Sequence, residues 1–204
     1  MNLDLTLYLV TEEAVPLERL LTTVEQAIEG GVTLVQLREK KSDGAVFHEK
    51  AKVLKKLLDQ YEVPLIINDR IDVALAVKAA GVHVGQSDLP ITAIRRIIPE
   101  SMIVGVSVST VEEALAAEKD RADYIGVGAA FPTGTKSDAK VLPKGMLKEI
   151  TQSVSIPSVA IGGIGLENVS LLRETGIAGV AVVSVIMEAQ NPTLVAKMFR
   201  EIWR

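Results

Sequence analysis

Residues 64–88 read PLIINDRIDVALAVKAAGVHVGQSD. An apolar, β-prone run, PLIIN (64–68), breaks into the polar loop Asn68-Asp69-Arg70. A helical stretch follows and hands over through Ala80-Gly81 to a second apolar run, VHVG (82–85), which breaks in turn into Gln86-Ser87-Asp88. Runs that are apolar on consecutive residues suit strands covered on both faces, as in a parallel sheet. The same cycle of strand, polar loop and helix recurs on both sides. TLYLV (6–10) and TLVQL (33–37) come before it; IVGVSV (103–108), YIGVGA (124–129), SVAIG (158–162) and GVAVVS (179–184) come after, making eight runs.

The segments between the runs have helical signals. PLERLLTTVEQAIEGG (16–31) opens on Pro16, closes on Gly30-Gly31, and sets Leu17, Leu20, Leu21, Val24, Ala27 and Ile28 on one face. KSDGAVFHEKAKVLKKLLDQ (41–60) shows the same period in Val46, Val53, Leu54, Leu57 and Leu58. Thr110 and Glu113 stand at capping-box spacing, and Asn191-Pro192 opens the last helix. Eight βα units predict one domain over residues 1–204, an α/β protein of (β/α)8 TIM-barrel type with parallel strands. An open doubly wound sheet is the alternative. Against it, LYLVTEEAVP after the first strand contains no glycine, so the dinucleotide fingerprint is missing.

Composition narrows the function. Aromatic residues make up only 3% of the 204, so the core is built from Val, Ile, Leu and Ala. The net charge of -4 argues against a broad grip on nucleic acid, and any anion must meet a local cluster of Lys and Arg. With no cysteine there is no disulfide, thiolate metal site or thiol nucleophile. The N-terminal MNLDLTLYLVTEE lacks a basic segment, and the most apolar stretch, 176–187, is about half the length that crosses a bilayer. The expectation is a cytoplasmic protein that acts on small molecules, not on membranes or nucleic acid; its oligomeric state is not legible.

In a barrel the active site forms at the C-terminal ends of the strands. The unusual polar residues fall there: Gln36, Arg38 and Lys40 after the second strand, Asn68 and Asp69 after the third, Asp88 after the fourth. Ser107 stands near the end of the fifth, Thr133, Thr135 and Lys136 follow the sixth, Gly162-Gly163 the seventh, and Ser184 ends the eighth. Arg38, Lys40 and Lys136 supply fixed positive charge. Asp69 and Asp88, at the ends of adjacent strands, can share a cation, and oxygen-only ligation favours Mg²⁺. Such a metal flanked by Lys and Arg suits a diphosphate, and the glycines with Ser184 suit a simple phosphate. Each residue also has a plainer explanation. Arg38, Lys40 and Lys136 serve as surface charges elsewhere, Asp69 and Asp88 as helix caps, the glycines as turn formers. His83, between two valines, reads as a structural histidine, and His48 as an exposed one. The shared rim is what favours the functional reading.

LYLVT (7–11), QLREK (36–40), IND (67–69), GVHVGQSD (81–88), GVSVST (105–110), VGAAFPTGTK (127–136), IGGI (161–164) and VVS (182–184) together resemble the thiamine-phosphate synthase family, in order over most of the chain. The resemblance implies a (β/α)8 barrel and a transferase of thiamine biosynthesis. Such an enzyme couples 4-amino-2-methyl-5-hydroxymethylpyrimidine diphosphate to 4-methyl-5-(2-hydroxyethyl)thiazole phosphate, with Mg²⁺, and releases diphosphate. It places Gln36 by the pyrimidine and Arg38, Lys40, Asn68, Ser107 and Lys136 around the diphosphate. Asp69 and Asp88 would hold Mg²⁺, and Thr133, Thr135, Gly163 and Ser184 would face the thiazole phosphate. Lys136, Arg38, Lys40 and Ser107 are the expected catalytic group. Two departures from the family's pattern touch the pocket: Ala129-Ala130 replaces Gly-Pro, and the fifth-strand run is Ser107-Val108-Ser109 where many members have a histidine after the serine.

Three rivals differ in class. A thiazole tautomerase would need a histidine near the end of the sixth strand, where this chain has Gly128-Ala129. A Schiff-base aldolase would need a lysine inside a strand, and no run contains one. A non-catalytic thiamine-phosphate sensor would leave the metal and diphosphate residues without a role.

Overall fold

The computed structural model describes residues 3–13, 15–134 and 140–203. Eight strands alternate with helices: β1 (Leu7–Val10), β2 (Leu34–Leu37), β3 (Leu65–Asn68), β4 (Gly81–Val84), β5 (Ile103–Val108), β6 (Tyr124–Val127), β7 (Ser158–Ile161) and β8 (Gly179–Val182). Every strand pairs in parallel with the next, and β8 returns to β1, closing the barrel. Seven strands lie inside the runs expected from sequence; β4 begins one residue earlier, at Gly81.

The apolar runs are explained by the two faces of each strand. Tyr8, Leu34, Ile66, Ile103, Tyr124, Val159 and Ala181 point inward and fill the barrel with Leu5 and Val10. Their neighbours Leu7, Leu9, Val35, Leu37, Ile67, Val82 and Val104 point outward into the layer under the helices. The rings of Tyr8 and Tyr124 meet edge to face, centroids 6.0 Å apart, a contact worth about 1 kcal/mol beyond its buried area. Gly105 makes room for this layer: a Cβ there would fall 2.1 Å from Cζ of Tyr124.

The helices are α1 (Leu17–Glu29), α2 (Gly44–Gln60), α3 (Ile71–Ala76), α4 (Ile91–Ile94), α5 (Val111–Lys119), α6 (Met146–Ser153), α7 (Ser184–Met187) and α8 (Pro192–Trp203), with a 3₁₀ helix at Val169–Thr175. On α1 the expected face is the packed one, with Leu20, Val24 and Ala27 buried. On α2 Leu54 and Leu58 of the expected face are buried, and Val46 is the exception. Phe47, Ala51, Leu54 and Leu58 are buried, while Val46 is 54% exposed, so the aromatic side chain sets the phase one residue later. Thr110 caps α5 as expected, accepting the Glu113 N–H at 3.2 Å. The returning Glu113 carboxylate takes the N–H of Ser109 at 2.6 Å, not that of Thr110. Asn191 caps α8 through the Leu194 N–H at 2.9 Å. No helix among the described residues is long and apolar enough to cross a membrane.

Candidate functional site

The strand-end residues converge on one mouth of the barrel. Gln36 near the end of β2, Asn68 at the end of β3 and His83 in β4 are inward-facing and buried, and Ser107 of β5 is half-buried beside them. Strand register sets them side by side, Asn68 opposite His83 and His83 opposite Gly105.

The β2 loop is held from below. Thr11, just past β1, donates its N–H to the Gln36 carbonyl at 2.9 Å and accepts the Arg38 N–H at 3.1 Å. Glu39 is buried; it accepts from the Ser42 hydroxyl at 2.6 Å and pairs with the Lys50 ammonium of α2. Glu13 takes the N–H of Lys41. Arg38 and Lys40 thereby stand on either side of an anchored carboxylate, Arg38 half-buried and Lys40 exposed. The sequence reading missed Thr11, Glu13 and Glu39. The signal for Glu39 was faint: an acid between two bases, whose partner lies on the next helix.

Lys40 pairs with Asp69. Asp69 has φ +58°, a left-handed conformation unusual for a side-chain-bearing residue, and donates its N–H to the His83 carbonyl at 2.9 Å. Asp88 accepts the Gly85 N–H at 2.7 Å, which closes the β4 loop and aims the carboxylate. Neither acid caps a helix: Arg70 stands at the N-cap of α3 and Pro90 at that of α4, both without a side-chain cap bond. Burial pushes the Asp69 carboxyl above the usual carboxylate range, Lys40 pulls it back, and the nearby Asp88 carboxylate raises it again. Two acids held close, one of them paired with a lysine, fit a hard divalent cation. Among the described residues no cluster of three or more His, Cys, Asp or Glu exists. A cation here would complete its shell from substrate oxygens and water, which is the habit of Mg²⁺.

His83 is more than a core filler. Its Nδ1 lies 2.9 Å from the Tyr124 hydroxyl and its Nε2 2.9 Å from Ser107 Oγ. Burial lowers its pKa to about 4, a shift that Asp88 opposes, so the ring is neutral at physiological pH. Gln86 also reaches this side, donating its side-chain amide to the Ser107 carbonyl at 2.8 Å. His48, expected on the surface, is half-buried.

Across the mouth, the loops after β6 and β7 lie on each other. Ala130 and Phe131 donate N–H groups to the carbonyls of Ile161 and Gly162 at 2.9 and 3.0 Å. Gly162 and Gly163 have φ of +98° and +64°, and a Cβ on Gly163 would fall 2.3 Å from the Pro132 carbonyl oxygen. Both glycines are therefore required by conformation and by contact. Asn168 braces the turn, accepting the Gly165 N–H at 3.0 Å and donating to the Gly163 carbonyl at 2.9 Å, a role not foreseen in the sequence. Thr133 is half-buried on this side, and Ser184 opens α7 directly after β8. Thr135 and Lys136 lie outside the described residues. A Cβ on Gly134 would meet nothing within 4 Å.

The span of these strand-end groups coincides with the match to a family model described as thiamine monophosphate synthase, which covers residues 7–186. The chain belongs to the thiamine monophosphate synthase family. It is 53% identical over 196 residues to the thiamine-phosphate synthase of Methanobrevibacter smithii, covering 96% of this chain and 94% of that one. The thiamine-phosphate synthase of Clostridium tetani is 55% identical over 191 residues, covering 93% and 91%. Among solved structures, the thiamine phosphate pyrophosphorylase from Pyrococcus furiosus superposes with a TM-score of 0.89 at 40% identity, covering 98% of this chain and 96% of that one. Members of the thiamine monophosphate synthase family thus match this barrel from its first strand to its last.

Proposed function

We propose that the protein is a thiamine-phosphate synthase. It joins 4-amino-2-methyl-5-hydroxymethylpyrimidine diphosphate to 4-methyl-5-(2-hydroxyethyl)thiazole phosphate and releases diphosphate. The observation that supports this reading is the convergence at one barrel mouth of two sets of groups that suit unlike anions: Lys40 with Asp69 and Asp88 on one side, the Gly162-Gly163 turn and Ser184 on the other.

The reaction breaks the bond from the pyrimidine methylene carbon to oxygen, and both electrons leave with the diphosphate. The thiazole nitrogen then donates its lone pair to the methylene carbon. No proton is removed, so no general base is needed. Arg38, Lys40 and Lys136 meet the charge that develops on the departing oxygens, and Asn68 and Ser107 hydrogen-bond to it. Asp69 and Asp88 would hold Mg²⁺, whose contribution is to neutralise diphosphate oxygens. Gln36 orients the pyrimidine. Thr133, Thr135, Gly163 and Ser184 hold the thiazole phosphate so that its nitrogen faces the leaving bond.

Purified protein given both substrates and Mg²⁺ is expected to form thiamine phosphate and diphosphate in equal amounts. Absence of product with both substrates and metal present would overturn the reading.

A further inference from the structure

An unbroken line of hydrogen bonds crosses the barrel and joins two residues of the site. Gln36 donates from Nε2 to the Tyr8 hydroxyl at 2.6 Å. The Tyr8 hydroxyl lies 2.8 Å from that of Tyr124, which lies 2.9 Å from His83 Nδ1, and His83 Nε2 lies 2.9 Å from Ser107 Oγ. Tyr8 and Tyr124 are buried, as is His83. Gly105 leaves space for the Tyr124 ring, and a Cβ on Gly126 would come 3.2 Å from His83 Cε1. Burial holds both phenols protonated and the imidazole neutral. Every member therefore has a countable set of protons.

Counting them gives the line a direction. An amide nitrogen only donates, so the Tyr8 oxygen accepts from Gln36 and its own proton goes to Tyr124. The Tyr124 proton then goes to His83 Nδ1. A neutral imidazole that accepts at Nδ1 carries its proton on Nε2, and this proton goes to Ser107 Oγ. The hydroxyl proton of Ser107 remains for the mouth, and at the far end the Gln36 amide oxygen remains to accept. The opposite direction would turn the Ser107 proton inward, towards His83. A diphosphate offers only acceptors, so it can use the serine in the first arrangement and not in the second.

We propose that Tyr8, Tyr124 and His83 are positioning residues whose one-way hydrogen-bond line presents Ser107 as a donor to the diphosphate and Gln36 as an acceptor to the pyrimidine. The two substrate groups rest on the synthase reading; the direction of the line does not.

The test uses the full chain. It has only two histidines, so ¹⁵N–¹H correlation of the imidazoles at neutral pH separates His83 from His48. The wild type is expected to show His83 protonated at Nε2. Tyr124→Phe removes the donor to Nδ1, frees the ring to take its proton there, and turns the serine proton inward. Its kcat is expected to fall roughly 10- to 100-fold, the loss of one hydrogen bond to a charged group, with KM for the thiazole phosphate unchanged. Tyr8→Phe keeps the Nε2 proton, because Tyr124 still donates to His83, and raises KM for the pyrimidine substrate instead. Adding Tyr124→Phe to Ser107→Ala is expected to cost nothing further. A wild-type His83 protonated at Nδ1 would overturn the proposal, as would a Tyr124→Phe variant with unchanged tautomer and kcat. An Nε2 proton in a protein with no synthase turnover would sink the proposed reaction and support the direction of the line.

Discussion

At His83 burial and hydrogen bonding act on one side chain together. The ring must be buried to reach Tyr124 and Ser107, and burial makes its protonated form costly. Its folded pKa of about 4 lies below the ordinary value of 6.5 for the free side chain. Above the higher value both states are neutral and the full stability is present. As pH falls towards the lower value the unfolded chain takes up a proton that the folded one refuses, and about 3 kcal/mol is lost. Urea unfolding of wild type and His83→Gln is expected to show a steeper acid loss in the wild type over that window; parallel curves would mean that His83 is not the titrating group. The sequence showed His83 between two valines and justified a structural reading. It did not show the partners, because Tyr8 and Tyr124 are 116 residues apart and meet only through strand register.

At the element scale, the barrel was legible because each βα unit repeats the same punctuation: apolar run, polar break, helix, glycine. The phase of α2 was not, since Val46 and Phe47 are both apolar and only packing chooses between them. The polar ends of strands were legible as a rim, yet the residues that brace them, Glu39 and Asn168, were not. Their partners are a lysine on the next helix and backbone groups of a turn. The crossing of the β6 and β7 loops makes a specific demand at Gly163. Gly163→Ala meets both a left-handed backbone and the Pro132 carbonyl, so it is expected to destabilise the fold by about 1–3 kcal/mol. Its KM for the thiazole phosphate is expected to rise. A stable variant with that KM unchanged would remove the turn from the phosphate site.

For the molecule as a whole, the two proposed anion sites stand on different arcs of the same mouth, one on β2 to β5 and the other on β6 to β8. They are expected to fail independently. Asp88→Ala should raise the Mg²⁺ concentration needed for half-maximal rate by tenfold or more, the scale of losing one charged ligand bond, and leave thiazole phosphate affinity unchanged. An unaltered metal titration would take Asp88 out of the metal site.

The closure of the barrel also orders events in time. β1 pairs with β2 on one side and with β8 on the other, and α1 packs against α8, where Thr193 donates to the Gln26 carbonyl at 2.8 Å and Gly30 leaves no room for a side chain beside Ala196. On a ribosome the first strand emerges early and its second neighbour emerges last. One edge of the nascent sheet therefore stays open through most of translation, a surface on which other chains can add. Sealing that seam waits for β8, and the interval before it is when a chaperone has most to protect.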